Sequence, residues 1–353
     1  MKKISIYFCL ALLLTGCYYS TDTKPGTFAR GCDLSWLSEM EQDSMLFYND
    51  NGEPEDCIAL LRGLGMNSVR LRVWVNHSTG WCNRDETVEK AIRAAKLGQR
   101  IMIDFHYSDN FADPSHQTTP LAWQDYNYTQ MREAVREHTL DVLYVLKESG
   151  VKPEWVQIGN ETPNGMLWPM GRLTNKDDNT NGCWQRYAGL TRAGYDAAKE
   201  AFPKVKVIVH VDNAYEYRDW FFQAMEQYGG KFDMIGLSHY PMMLQWSGKP
   251  WQEMNTLAEN NIRKLISKFH KPVMIAEVGT TAFNPTLSAT VMRDFVQRIT
   301  AIDSCAGIFY WEPECYGGWS PREYASYGWG PYDMGAFTID GKPAEALRIM
   351  LRE

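Results

Sequence analysis

The sequence predicts a single-domain α/β fold, a (β/α)8 TIM barrel. Eight apolar, strand-like runs alternate with amphipathic helical stretches from residue 28 onward. Polar or charged residues gather at the C-terminal tips of those runs, where barrel enzymes keep their chemistry. No Gly-rich phosphate loop follows an early strand, so a doubly wound open sheet fits less well. No domain-sized linker, repeat or low-complexity segment interrupts the pattern.

Before the barrel comes a processing segment. Lys2 and Lys3 form a positive end, and Ile4 to Leu14 is an apolar run too short to span a bilayer as a helix. The run finishes Leu14-Thr15-Gly16-Cys17, which resembles a bacterial lipobox. That implies cleavage before Cys17 and lipidation of its thiol. An ordinary secretory signal with an incidental Cys is the alternative, and either reading makes the mature protein an exported one. With the lipid, the expected location is a bacterial membrane, the outer membrane or the cell surface. Residues 18–27 then read as a short polar tether, and 28–353 as the barrel.

The strands are expected near Phe28–Asp33, Asn67–Val75 and Arg100–Tyr107, then in a run from Trp155 ending at Glu161. The later four are Lys206–Asn213, Asp233–Tyr240, a run from Pro272 ending at Glu277, and Gly307–Glu312. Helices are expected over Glu55–Leu64, Thr87–Leu97, Thr129–Ser149 and Trp184–Ala201, then Arg218–Tyr228, Leu257–Phe269, Thr286–Ile302 and Ala344–Leu351. Gly65, Gly98 and Gly150 stand just past three of them, as helix ends favour.

Composition narrows the function. A net charge of −7 argues against a nucleic-acid partner. The 13 Trp and 19 Tyr exceed what a chain this size needs, and aromatic faces beside polar loops suit the apolar face of a sugar. Of eight Cys, one lies in the signal run and one is Cys17. The other six match no zinc spacing. Cys32, Cys57 and Cys305 read as core. Cys82, Cys183 and Cys315 lie in expected loops, where one disulfide is expected to be able to form in an oxidising compartment.

The strand tips collect Asp33, Arg70 and Arg72, His106, Asn160 with Glu161, Asp212 with Asn213, His239 with Tyr240, Glu277 and Trp311. Two apolar runs that each end in a Glu suggest paired carboxylates. Such a pair suits glycoside hydrolysis: one carboxyl stays protonated to donate to the leaving oxygen, and the other stays ionised to attack the anomeric carbon. Glu161 is assigned as acid/base and Glu277 as nucleophile. Asn160 is placed to bond a sugar hydroxyl, Arg70 to keep Glu277 ionised, and Tyr240 to orient it. No His-x-His or His-x-x-x-His pair supports a metal, and no Gly-x-Ser-x-Gly elbow supports a serine hydrolase.

Asp104-Phe105-His106-Tyr107-Ser108-Asp109, continuing through Ala112–Gln117 to Trp123, resembles the signature of glycoside hydrolase family 53, the arabinogalactan endo-β-1,4-galactanases within clan A. Val69–Asn76, Ile158–Glu161, Leu167-Trp168-Pro169, His210–Asn213 and Phe309–Pro313 are similar in order and spacing. The resemblance implies retaining, endo-acting cleavage of β-1,4-galactan, the side chain of pectic rhamnogalacturonan. It implies Glu161 as acid/base and Glu277 as nucleophile. It puts Arg70, His106, Asn160, Tyr240 and Trp311 around the sugar, and Asp212-Asn213 in a matching stretch. Trp123 and Trp168 fall in matching loops and are expected to be platforms. His239 and Tyr332–Phe337 depart from the family pattern. No cofactor is expected for catalysis. Some relatives hold a structural calcium in the late loops, whose ligands do not carry over to this chain. The expected partners are the polysaccharide and, through the lipid, a membrane; the chain is expected to be a monomer. Another clan A glycosidase and an inactive glycan-binding barrel are the competing readings.

Overall fold

The computed structural model describes residues 18–19, 21, 23–24, 26–174, 179, 182–243 and 248–352. The leader run and Cys17 lie outside the described residues. Eight parallel strands close a barrel. They are β1 (Ala29–Asp33), β2 (Ser68–Val73), β3 (Arg100–Phe105), β4 (Trp155–Ile158), β5 (Lys206–Val211), β6 (Met234–His239), β7 (Val273–Val278) and β8 (Cys305–Trp311). β8 pairs back onto β1, with Gly31 opposite Phe309. The helices are α1 (Cys57–Gly63), α2 (Arg84–Lys96), α3 (Tyr128–Glu148), α4 (Cys183–Ala201), α5 (Asp219–Gln227), α6 (Trp251–Phe269), α7 (Pro285–Thr300) and α8 (Glu345–Arg352). Gly65, Gly98 and Gly150 all have positive φ, 115°, 75° and 74°, the left-handed turn that ends a helix without a Cβ clash.

Some local structure departs from the sequence pattern. α6 starts six residues before the expected Leu257, because its first turn is polar or half-exposed and carries no apolar stripe. Short helices at Leu37–Gln42 and Glu323–Tyr327 and two two-stranded hairpins lie in the loops. The expectation of a loop disulfide is corrected. All six described cysteines are buried, and none of them is joined in a disulfide. Cys82 donates to Ser35 O, Cys183 opens α4, and Cys315 is buried below the late loop. Packing, not cross-linking, accounts for them. No helix among the described residues is long and apolar enough to cross a membrane.

The barrel interior is layered. At the bottom Ala29, Met102, Trp155, Ile208, Met234, Met274 and Phe309 form an apolar plug. Gly31 makes room for Phe309; a Cβ there would lie 2.2 Å from the ring. Above the plug the inward positions turn polar, with Arg70, Asp104, Gln157 and His210 all fully buried. A buried polar layer is tolerable only when its groups satisfy one another, and here they form the base of the site.

Candidate active site

Arg70 on β2 organises the layer. Its Nη1 donates to Asp33 Oδ2 at 2.6 Å, and its Nη2 lies 2.8 Å from Asp104 Oδ2, 2.9 Å from Asn160 Oδ1 and 3.0 Å from Glu277 Oε1. Burial opposes its charge, but Asp104, Glu277 and Asp33 outweigh that and hold it protonated beyond the usual guanidinium range. Asp104 is likewise held below the usual carboxylate range: burial works against ionisation, and Arg70 and His106 overcome it. Asp104 also receives Gln157 Nε2 at 2.5 Å and His106 Nε2 at 3.0 Å. The backbone N–H of Ala112 and the indole N–H of Trp74 both point at His106 Nδ1, at 3.1 and 3.3 Å. Nδ1 is therefore the acceptor and Nε2 carries the proton.

Above this network opens a cavity of about 660 Å³. Its lining includes His106, Asn160, Glu161, Asp212, Asn213, Tyr240, Glu277 and Trp311. The structure thus brings eight sequence-predicted residues to one cleft. Three others lie elsewhere. Arg70 is 1% exposed and sits beneath the cleft, against Glu277. Trp123 is buried with its ring against His138, so it packs the loop onto α3 instead of offering a platform. Trp168 lines a neighbouring groove with Tyr126 and Pro169, with Arg172 4.5 Å over its ring.

The two glutamates differ in their surroundings. Glu277 Oε2 accepts from Tyr240 Oη at 2.8 Å, while Oε1 faces Arg70. Burial raises its pKa, and Arg70 and then Tyr240 offset part of that rise, so the carboxyl stays above its usual range. Glu161, just past β4, has no ion pair with a cation among the described residues. Burial, then the charges of Glu277 and Asp212, push its carboxyl well above the usual range. Its backbone is held at φ 43°, with its N–H directed at His210 Nδ1 and its carbonyl accepting from Gln117 Nε2. Such left-handed residues cost roughly 1–2 kcal/mol each; Tyr107, Asn213 and Glu312 share the conformation, all just past strand tips. Asp212 Oδ2 accepts from Asn213 Nδ2 (2.6 Å) and Arg218 Nη2 (3.0 Å). Burial pushes Asp212 up to about 6 against the pull of Arg218.

Sequence reasoning missed part of the site. Phe111, Tyr324, Trp329 and Tyr332 also line the cleft. The last three lie in or beside the aromatic-rich loop after β8, but composition does not say which rings point inward. Gln157 and His210 lie below, buried in strands. Their signal was available: polar residues at inward positions of strands that are otherwise apolar on both faces.

A (β/α)8 barrel with two carboxyls of unequal acidity facing one aromatic-rimmed cleft defines a glycoside hydrolase. Comparison with known proteins narrows this. The chain belongs to glycosyl hydrolase family 53, whose model matches residues 29–350. It is 30% identical over 345 residues to an arabinogalactan endo-β-1,4-galactanase of Thermothelomyces thermophilus, over 92% of this chain and 98% of that one. Its fold superimposes on a fungal β-1,4-galactanase with TM-score 0.79 and 27% identity, covering 92% and 99% of the two chains. The family 53 catalytic domain of Ignisphaera aggregans gives TM-score 0.79 and 28% identity, with 94% and 97% covered.

Proposed function

We propose that the protein is an endo-acting, retaining galactanase that cleaves β-1,4-galactosidic bonds in galactan and in the type I arabinogalactan side chains of pectin. The observation that carries the mechanism is the unequal pair, Glu161 pushed well above the usual carboxylate range by burial and by Glu277 and Asp212, and Glu277 held against Arg70 and Tyr240. The names of the relatives supply the substrate. In the first step Glu277 attacks the anomeric carbon, and Glu161 gives its proton to the departing O4. In the second, Glu161 takes a proton from water, whose oxygen displaces Glu277 from the same carbon. Both carboxyls lie near one hydroxyl, that of Ser238. A retaining pair is expected to stand about 5–5.5 Å apart, against roughly 6.5–9.5 Å for an inverting one.

Asn160 Nδ2, which also donates to Ala112 O, and the Asp212 carboxyl are among the polar groups offered to sugar hydroxyls, and Trp311 lines the same cleft. Pro331, Tyr332 and Asp333 line both this cleft and an adjoining cavity of about 630 Å³, so the loop after β8 governs how far the chain extends and hence product length. Acid/base and nucleophilic roles are both filled by protein groups, so chelation leaves the rate unchanged on this reading. Lipidation at Cys17 would tether a monomeric enzyme. Tyr19 N–H bonds Gly150 O, in the turn between α3 and β4 at the N-terminal face of the barrel, which favours an anchor opposite the cleft. Product analysis on linear β-1,4-galactan beside mannan and soluble cellulose tests the reading. Mixed galacto-oligosaccharides, with the other two polymers intact, are expected; intact galactan would refute it. Cys17→Ala is expected to release the protein from membranes, and persistent anchoring would refute the lipid.

A further inference from the structure

Ser238 sits between the two glutamates, and nothing in the mechanism above uses it. Its placement comes from a break in the sheet. β6 and β7 run in register up to Leu237 opposite Ile275, and then Ser238 pairs with Glu277, skipping Ala276. Bulges of this kind re-aim side chains next to active sites. Here the bulge brings Ser238 and Glu277 side by side, both buried. The Ser238 hydroxyl lies 3.5 Å from Glu277 Oε2, and on its other side it favours the ionised form of the Glu161 carboxyl. It has one proton to give and two carboxyls to receive it.

The other side of Ser238 is fixed by His210, whose Nε2 is 2.9 Å from Oγ. The tautomer follows from the far nitrogen. Three groups approach Nδ1: the backbone N–H of Glu161 (3.3 Å), the amide nitrogen of Gln157 (3.1 Å) and Asn160 Oδ1 (3.0 Å), an oxygen that already accepts from Arg70 Nη2 and Gln157 Nε2. A backbone N–H can only donate, so Nδ1 accepts and Nε2 carries the hydrogen. His210 thus donates to Ser238 Oγ, and the Ser238 proton is left for a glutamate. Burial and then Arg70 push the imidazole well below its usual range, so it stays neutral and its one proton stays on Nε2.

We propose that Ser238, oriented by His210, is a positioning residue whose hydroxyl turns between Glu277 and Glu161, bonding whichever is ionised. This rests on the double-displacement reading. In the free enzyme Glu277 is the anion. After the first step its oxygen is esterified to the sugar, Glu161 has lost its proton to the leaving group, and the negative charge has moved across the cleft. A fixed donor would serve one anion and abandon the other. A rotating hydroxyl serves each in turn with no movement of the backbone.

The test is Ser238→Ala, with Ser238→Cys as a weaker donor of similar size. A 2,4-dinitrophenyl β-galactobioside separates the steps: the burst reports formation of the glycosyl-enzyme, and the steady state its hydrolysis. A hydrogen bond to a charged group implies a loss of roughly tenfold to a hundredfold in each step, with Cys between Ser and Ala. The acidic limb of each step should move to higher pH, since each anion loses a donor that favours ionisation. Loss in one step only, or slower rates with unmoved limbs, would overturn the proposal, because packing alone would not shift a titration. The anomeric form of the first wild-type product, read by NMR, judges the underlying mechanism separately. An α product would sink double displacement whatever Ser238 does; a β product with an unperturbed Ser238→Ala would sink only the hydroxyl switch.

Discussion

Tyr240→Phe is the sharpest probe of the nucleophile. The phenol donates to Glu277 Oε2 at 2.8 Å, and Arg70 serves the other oxygen at 3.0 Å. Deleting the hydroxyl leaves the ring in its seat against Gly279, where even a Cβ would lie 2.9 Å from Tyr240 Cε1. The change is therefore electrostatic and not a loss of packing. A hydrogen bond to a charged group is worth about 1.5–3 kcal/mol, and the lower half of that range suits a half-exposed tyrosine at a cleft. At about 1.4 kcal/mol per factor of ten, kcat/KM on galactan should fall roughly ten- to thirtyfold. The sign of the pH effect follows from the same bond. The phenol favours the ionised form of Glu277, so without it Glu277 holds its proton to higher pH. The acidic limb of the kcat/KM profile should move up by about one unit. Reducing-end release across pH 4–9, with thermal unfolding of both proteins as the folding control, reads both quantities. Full activity with an unmoved acidic limb would refute the role. Movement of the basic limb alone would show that Tyr240 acts on Glu161 and that the two carboxyls have been assigned the wrong way round.

Glu161→Gln should slow galactan cleavage by about 10²–10⁴-fold, the usual worth of a general acid, yet spare glycosylation from a dinitrophenyl glycoside, whose leaving group needs no proton; equal losses on both substrates would remove Glu161 from that role. Asp212 carries a pKa raised to about 6 from 3.8. An acid raised on folding lends stability that is complete below its unfolded pKa and lost as pH rises through its folded one, so the wild-type Tm should drop more than that of Asp212→Asn between pH 4 and 6.5. Parallel melting curves would contradict the buried setting of Asp212. Gly31→Ala would place a Cβ 2.2 Å from the Phe309 ring in the apolar plug; overpacking of this kind costs about 1–3 kcal/mol, so calorimetry should show a lower Tm with kcat nearly intact, and an unchanged Tm would mean the plug yields easily.

The barrel was legible in the sequence because its signals are local. Strand runs, helix periodicity and helix-stopping glycines each need only a few neighbouring residues, and the eight strands and eight helices lie close to their expected places, with α6 alone starting six residues early. The paired glutamates were legible for the same reason: a carboxylate at the end of an apolar run is conspicuous wherever the chain goes next. The support of Glu277 by Arg70 and Tyr240 was expected from their strand tips, but only the tertiary structure decided that one guanidinium is shared among Asp33, Asp104, Asn160 and Glu277. Arg70 meets Glu277 across 207 residues and Asp104 across 34, and no local pattern encodes which charges share one guanidinium. It also decided that Arg70 lies beneath the cleft and does not line it, that Trp123 faces α3, and that Trp329 and Tyr332 rim the cleft. An aromatic ring in a loop reads the same whether it packs inward or meets a sugar. Ser238 was least visible of all. It looked like one more small residue in a strand, because its place between the glutamates depends on a one-residue bulge in the neighbouring strand, and side-chain direction in a sheet reverses with every residue.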